Sequence, residues 1–587
     1  MIPLILTALL TFIFLELNHN TLLGWLCALL LFIGYGYLYR HLLKPKGLLL
    51  KLGSWVLLLL AVILIVSFTM APFKPVKAVE HKDPQYTDII TIRQGQLKGV
   101  YSADQAIEIY TGIPYAQPPV GQLRWKEPQD PASWEGVKIC DEFAPMSMQP
   151  RNPEFINSLV SIIGYHDYTI SLRDNFRQLN SEDSLYLNIW KPAGKVADLP
   201  VLVFIHGGSL QTGQPWYKDY SGEGLAKEGV IVVNMGYRLG TFGFYADPQL
   251  AEESPNHTTG NYGLLDQIKA LQWVQDNIAA FGGSPDNVTV AGESAGSACV
   301  AALLTSPLAK GLFNRAILES STLNAVRPAH SYRTLESGYE TSRKTRQQLG
   351  VSTLDELRAL PAEKLVDLAD VDHHLTVDGY ALTESPYESF SKGICNAEAI
   401  LHGFNASESY FFTMFNPGSL KNYGDKLSRA FGDKADEVMK LYPASTNDQA
   451  KANWYDINTS ILFSYGHYCL SRQAIAQGIP VYEYYFTKEN KRLGNNHGGE
   501  MMYFFGNIPA KSKLFDDTDR QLEKIMMTYF RNFITCGDPN GTDLPRWDKQ
   551  TDADQIFELG DQIGYRPEPF VKLNAIIDQL QGFESGE

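Results

Sequence analysis

Cysteine is scarce in these 587 residues. The six present, Cys27, Cys140, Cys299, Cys395, Cys469 and Cys536, form no C-x-x-C pair and join no histidine at metal-ligand spacing. That excludes a zinc ribbon or a disulfide scaffold and leaves the thiols as small buried residues. No metal or organic cofactor is expected. Basic runs are also missing beyond the N-terminal region, and the formal charge is −15, so nucleic-acid binding is not expected. No internal repeat breaks the chain. What is present is an ordinary globular composition, 44% hydrophobic and 20% charged, at a length that suits one large domain with an appendage.

The appendage is N-terminal. Residues 22–39 and 52–70 are apolar runs long enough to cross a hydrocarbon core, and a shorter run covers residues 2–15. The first run has neither a basic n-region nor a small-residue cleavage site, so it does not read as a removable signal. About three transmembrane helices are expected within residues 1–72, placing residues 2–70 in a lipid bilayer. Arg40, Lys44, Lys46 and Lys51 crowd the loop between the last two runs, which the positive-inside rule holds in the cytoplasm. The chain after Pro72 then lies on the exocytoplasmic side, although Lys74, Lys77 and Lys82 oppose this assignment. Residues 73–88 read as a Pro-bearing linker, and residues 89–587 as one domain.

In the middle of that domain, buried-strand patterns alternate with helical ones. Residues 199–205 and 230–234 are short apolar runs rich in β-branched residues. Leu264, Ile268, Leu271, Val274 and Ile278 then recur at helical spacing. Residues 287–291 form another strand pattern, followed at once by Gly292-Glu293-Ser294-Ala295-Gly296, a G-x-S-x-G motif opening a helix. A nucleophile on such a sharp strand-to-helix turn needs glycine at the flanking positions, where side chains would strike the neighbouring strand and helix. The alternation predicts an α/β fold with a mostly parallel sheet flanked by helices.

Residues 281–296 resemble the serine active-site signature of the type B carboxylesterase/cholinesterase family, closest in pattern to bacterial carboxylesterases. The blocks at residues 112–121, 182–188, 206–208, 237–244 and 260–266 follow in that family's order. The resemblance covers nearly all of the chain after the linker. It implies an α/β-hydrolase fold, preceded here by the transmembrane segment, and cleavage of small-molecule carboxylic esters.

It also implies a site. Glu408, in Gly403-Phe-Asn-Ala-Ser-Glu408, matches the family's acid, and His497, in His497-Gly-Gly-Glu500, matches its base; with Ser294 they would form the catalytic triad. The order Ser, Glu, His is that of α/β-hydrolases. Backbone N–H groups of Gly208, Ser209 and Ala295 would form the oxyanion hole, with Ser209 standing where the family has Gly or Ala. His206 reads as structural and His402 as a packed residue, while His373, His374 and His467 have no motif around them. Glu293 reads equally as an electrostatic tuner and as a structural carboxylate.

Two departures stand out. The positions that usually form a disulfide in this family are Ser147 and Ser184, so that loop is expected to be held by packing alone. A reducing compartment would account for the loss, against the charge rule; the charge rule is preferred. Between them, where cholinesterases carry a choline-stacking Trp, stand Phe155, Tyr165, Tyr168 and Phe176 but no Trp, which disfavours choline esters. Two other readings remain open: a catalytically silent adhesion ectodomain, and an acyltransferase or lactonase using the same triad.

Overall fold

The computed structural model describes residues 2–80, 83–166, 177–322, 324–325, 332–366, 368 and 374–581; Lys82, Tyr168, Phe176 and His373 lie outside them. The chain divides into two compact units, Met1–Val76 with Arg151–Leu179, and Lys77–Pro150 with Asn180–Glu587.

The first unit is helical. Helices α1 (Ile2–Leu17), α2 (Leu22–Leu38) and α3 (Leu48–Phe68) follow the three apolar runs. Among the described residues, two helices are long and apolar enough to cross a membrane, Leu22–Leu43 and Leu48–Phe68, with 22 and 21 residues. At 16 residues, α1 falls short of the ~20 that a full crossing takes. The turn between α1 and α2 is pinned to the end of α3: Asn20 Nδ2 donates to Val66 O and Thr69 Oγ1 at 2.8 and 2.9 Å, and Thr21 N to Thr69 O at 2.9 Å. Along these helices Leu30, Leu49, Leu57, Ile63 and Phe68 are exposed. The rest of the unit is the inserted segment, with helix α4 (Glu154–Ile163).

The second unit is built on a sheet of eleven strands. In chain order these are β1 (Val100–Tyr101), β2 (Ile107–Pro114), β3 (Tyr186–Pro192), β4 (Leu199–Ile205), β5 (Ile231–Met235), β6 (Gly283–Glu293), β7 (Arg315–Glu319), β8 (Ala399–Asn405), β9 (Val481–Phe486), β10 (Gln555–Leu559) and β11 (Ile563–Pro567). Their order across the sheet is β1-β2-β3-β5-β4-β6-β7-β8-β9-β10-β11. The strands from β5 to β10 in that order pair in parallel, and the pairings outside them are antiparallel.

The central strands are apolar on both faces because both are covered. On β4, Val201, Val203 and Ile205 enter one core and Leu202 and Phe204 the other. Helices α5 (Tyr262–Asn277) and α6 (Ala295–Thr305) fill the first core with Leu264, Leu271, Val300 and Leu304. Helix α7 (Met501–Phe505) and helix α8 (Asp517–Cys536) fill the second with Phe505, Met526, Phe530 and Phe533. Parallel strands so arranged put the carboxyl ends of β4, β6, β7 and β8 along one edge of the sheet, where open α/β sheets hold their sites.

The loop with the two serines differs from the sequence expectation. Packing is not its only restraint, because Ser147 Oγ donates to Ser184 Oγ at 2.8 Å or to Tyr237 O at 2.6 Å, all buried. A polar contact thus occupies the place of the covalent one, closing a loop of 37 positions. Chain-entropy arguments give a disulfide across such a loop about 3–4 kcal/mol. Ser147→Cys/Ser184→Cys is therefore expected to raise the thermal midpoint when oxidised and to lose that gain in dithiothreitol.

Candidate active site

Strand β6 ends at Glu293, and the next residue turns sharply. Ser294 has φ 56° and ψ −124°, a conformation that costs a side-chain-bearing residue about 1–3 kcal/mol. Its amide donates to Glu319 O of β7 at 2.9 Å, which holds the turn. The flanking glycines are required by contact. A Cβ on Gly292 would lie 2.5 Å from the Gly296 carbonyl, and one on Gly296 would collide with the carbonyl oxygen of Ile205. The Ile205–Gly208 loop therefore packs directly on the start of α6. Gly207 closes the contact, since a Cβ there would lie 2.8 Å from the Ser294 Cβ.

The base and acid come from loops after β9 and β8. His497 Nε2 is 2.9 Å from Ser294 Oγ, and His497 Nδ1 is 2.6 Å from Glu408 Oε2. Glu408 is wholly buried, and its other oxygen accepts from Asn405 N at 2.7 Å. The two loops are tied by the Ser407 amide, which donates to Asn495 O at 2.9 Å. Phe463 and Phe412 flank the imidazole, with ring centroids 5.0 and 5.3 Å away. Three residues far apart in sequence thus meet at one sheet edge.

The three oxyanion candidates lie on the two segments that abut there. Gly208 has φ 106° and Ser209 has φ 56°. The Gly208 carbonyl accepts from Gln211 N and Thr212 N at 3.0 and 2.9 Å. Because the peptide is planar and trans, this aims the Ser209 N–H the opposite way. Ala295 is the first residue of α6, where backbone N–H groups have no partner within the helix.

Carboxylates crowd this centre. Glu293 Oε1 lies 3.3 Å from His497 Nε2. Glu500 accepts from Ser320 Oγ at 2.7 Å and from Asn405 Nδ2. Burial acts to lower the His497 pKa, but Glu293, Glu408 and Glu500 outweigh it and carry the imidazole up to about 9. Burial, with Glu408 and Asp219 adding and His497 opposing, raises Glu293 to about 7. Burial, with Glu408 and Glu293 adding, pushes Glu500 up to about 8. Glu319 is raised well above the usual carboxylate range by burial, then by Glu500 and Glu293. Glu319 was not singled out from the sequence; its register opposite Glu293 was the missing signal.

His206, His402 and His467 bond elsewhere. His206 stacks on Tyr237 at 4.6 Å, and burial holds its pKa down to about 4. His402 and His467 face each other through Nδ1 at 2.9 Å, wholly buried, with Ser471 Oγ 3.0 Å from His402 Nε2. Among the described residues no group of three or more His, Cys, Asp or Glu is arranged to hold a metal.

A parallel-centred sheet with a serine on the turn from a central strand into a buried helix defines an α/β-hydrolase. The chain belongs to the carboxylesterase family, whose profile matches residues 86–568. It is 34% identical over 497 residues to the fumonisin B1 esterase of Sphingopyxis macrogoltabida, covering 82% of this chain and 88% of that one. Identity is also 34% over 493 residues to the para-nitrobenzyl esterase of Bacillus subtilis (strain 168), covering 78% and 92%. The crystal structure of carboxylesterase EST55 from Geobacillus stearothermophilus superposes with a TM-score of 0.70 at 31% identity, covering 84% of this chain and 100% of that one. Hydrolysis of carboxylic esters is the chemistry of the family, and the chain is a carboxylesterase.

Proposed function

We propose that the chain is a bilayer-anchored serine esterase acting through Ser294, His497 and Glu408 and an acyl-enzyme. The observation that carries this reading is the continuous relay from Ser294 Oγ through both ring nitrogens of His497 to Glu408, at 2.9 and 2.6 Å. His497 Nε2 takes the Ser294 proton as Oγ attacks the ester carbonyl. Glu408, fixed by Asn405 N, holds the ring's tautomer and stabilises the imidazolium. Backbone N–H groups of Gly208, Ser209 and Ala295 receive the oxyanion. The tetrahedral adduct expels the alcohol, which takes the proton from His497. A water molecule, activated by the same nitrogen, then releases the acid. The aromatic rings of Phe412 and Phe463 beside the imidazole suit an apolar acyl group.

The test is covalent. A fluorophosphonate probe is expected to label the folded protein at Ser294, and rapid mixing with p-nitrophenyl acetate to release a burst of one p-nitrophenol per labelled site. Folded protein that takes up no probe would instead be a silent binding ectodomain.

The pH dependence has a definite sign. The base works only when deprotonated, and its pKa is raised, so kcat/KM is expected to climb as pH rises through about 9. Glu293→Gln removes a negative charge beside the ring, which lowers the pKa. The acid limb of the profile then moves to lower pH by about one unit. An unmoved limb would show that Glu293 exerts no field on the base.

Residues 1–72 are assigned as the anchor, residues 73–88 as the lead-in and residues 89–587 as the catalytic domain, with the bilayer as partner of residues 2–70. The exposed Leu, Ile and Phe side chains of α2 and α3 support this, since water does not tolerate apolar patches of that extent. Arg40, Lys44, Lys46 and Lys51 between the spans support an exocytoplasmic catalytic domain.

A further inference from the structure

Segment Arg151–Leu179 is inserted between two stretches of the catalytic chain, yet it belongs to the unit of the N-terminal helices. Helix α4 packs on the end of α1: Ser158 Oγ donates to Leu17 O at 2.8 Å and lies 3.1 Å from His19 Nε2, and Phe155 meets Phe14 at 5.2 Å. This is also the end where the α1–α2 turn is bonded to Thr69, so α4 lies where α3 completes its crossing. Just beyond, both ends of the insertion close on Phe73. The Arg151 and Arg177 guanidinium carbons lie 4.9 and 4.1 Å from its ring centre. Arg177 Nε donates to Ala71 O at 2.8 Å, and Lys74 N donates to Arg177 O at 3.0 Å.

The rest of α4 has the wrong surface for water. Ile156, Val160 and Ile163 recur at i, i+4 and i+7, and Val160, Ile162 and Ile163 are 46%, 41% and 65% exposed. The stripe lies on a helix bonded to the end of α1, and Arg151 and Arg177 stand on Phe73, shortly after α3 ends at Phe68. An amphipathic helix with adjacent cations has the chemistry of an interfacial membrane element.

We propose that α4 is a membrane foot. Ile156, Val160 and Ile163 enter the boundary between acyl chains and headgroups, and Arg151 and Arg177 sit at the phosphates. The proposal rests on the membrane reading above and deepens it by naming the substrate class, esters lodged in the bilayer surface.

The test uses the full chain in phosphatidylcholine and phosphatidylglycerol vesicles, with Cys27, Cys395 and Cys536 replaced by Ser. Bimane is attached through Ile163→Cys or through Leu60→Cys in α3, and brominated lipids serve as quenchers. Lipids brominated near the glycerol are expected to quench the label at position 163 more than lipids brominated near the chain ends, and position 60 to be quenched by lipid as well. Quenching at 60 without quenching at 163 overturns the foot and leaves the anchor standing. Quenching at neither position overturns both. As a second arm, Val160→Asp/Ile163→Asp is expected to raise KM for vesicle-borne p-nitrophenyl palmitate about ten-fold or more, leaving kcat and the kinetics on p-nitrophenyl acetate unchanged. An equal loss on both esters overturns the proposal.

Discussion

Ser294→Ala is expected to lower kcat for p-nitrophenyl butyrate on the order of 10⁴- to 10⁶-fold while leaving KM and the thermal midpoint near those of the parent. The size follows from what the hydroxyl does. Without Oγ there is no covalent path, and His497 can only assist direct attack by water. The oxyanion donors still bind the carbonyl, so a residual acceleration over water of about 10³ to 10⁴ is expected to remain. The more telling measurement is the double variant. If Ser294, His497 and Glu408 act as one relay, removing His497 after Ser294 has little further effect. Ser294→Ala/His497→Ala should then turn over no more than a few-fold more slowly than Ser294→Ala alone. Two independent contributions would instead multiply. Folding is not in question for the serine change, because the turn is held by the Ser294 amide, which alanine keeps.

How far the sequence disclosed this arrangement depended on the range of the interaction. The strands around Ser294 were legible because a strand covered on both faces is apolar at every position, and 199–205 and 287–291 have that composition with turn residues around them. The sharp turn at Ser294 was legible because it forbids side chains at 292 and 296, which leaves glycines as a trace. Glu408 and His497 were named from the resemblance; nothing local in either loop says that their tips meet. The carboxylate cluster was not legible. Glu293, Glu319 and Glu500 come from two strand ends and a loop, and only sheet register makes them neighbours. The allegiance of α4 was hidden for a related reason: an apolar stripe tells that a face is to be covered, not what covers it. Ser147 and Ser184 were read as a lost bond, yet the smaller oxygen atoms still reach each other.

Gly296→Ala is expected to damage catalysis severely, although it removes no functional group. The added methyl would collide with the Ile205 carbonyl oxygen and press on His206. Neither neighbour can yield cheaply. Ile205 lies in the sheet register between β5 and β6, and every residue of α6 from Gly296 to Thr305 is buried. Either α6 retreats, carrying Ser294 and the Ala295 N–H with it, or the oxyanion loop does. A displacement of about 1 Å at a reacting centre costs on the order of 10² in rate, and overpacking a closed core costs about 1–3 kcal/mol. A fall in kcat of about 10² or more is therefore expected together with a lowered thermal midpoint. The control is Gly350→Ala. Gly350 also has a backbone unfavourable to side chains, φ 69°, but nothing lies within 4 Å of its Cβ position. It is expected to lose about 1 kcal/mol of stability and no activity, so that a kcat loss confined to position 296 reports the contact between strand and nucleophile helix rather than a general loosening of the fold.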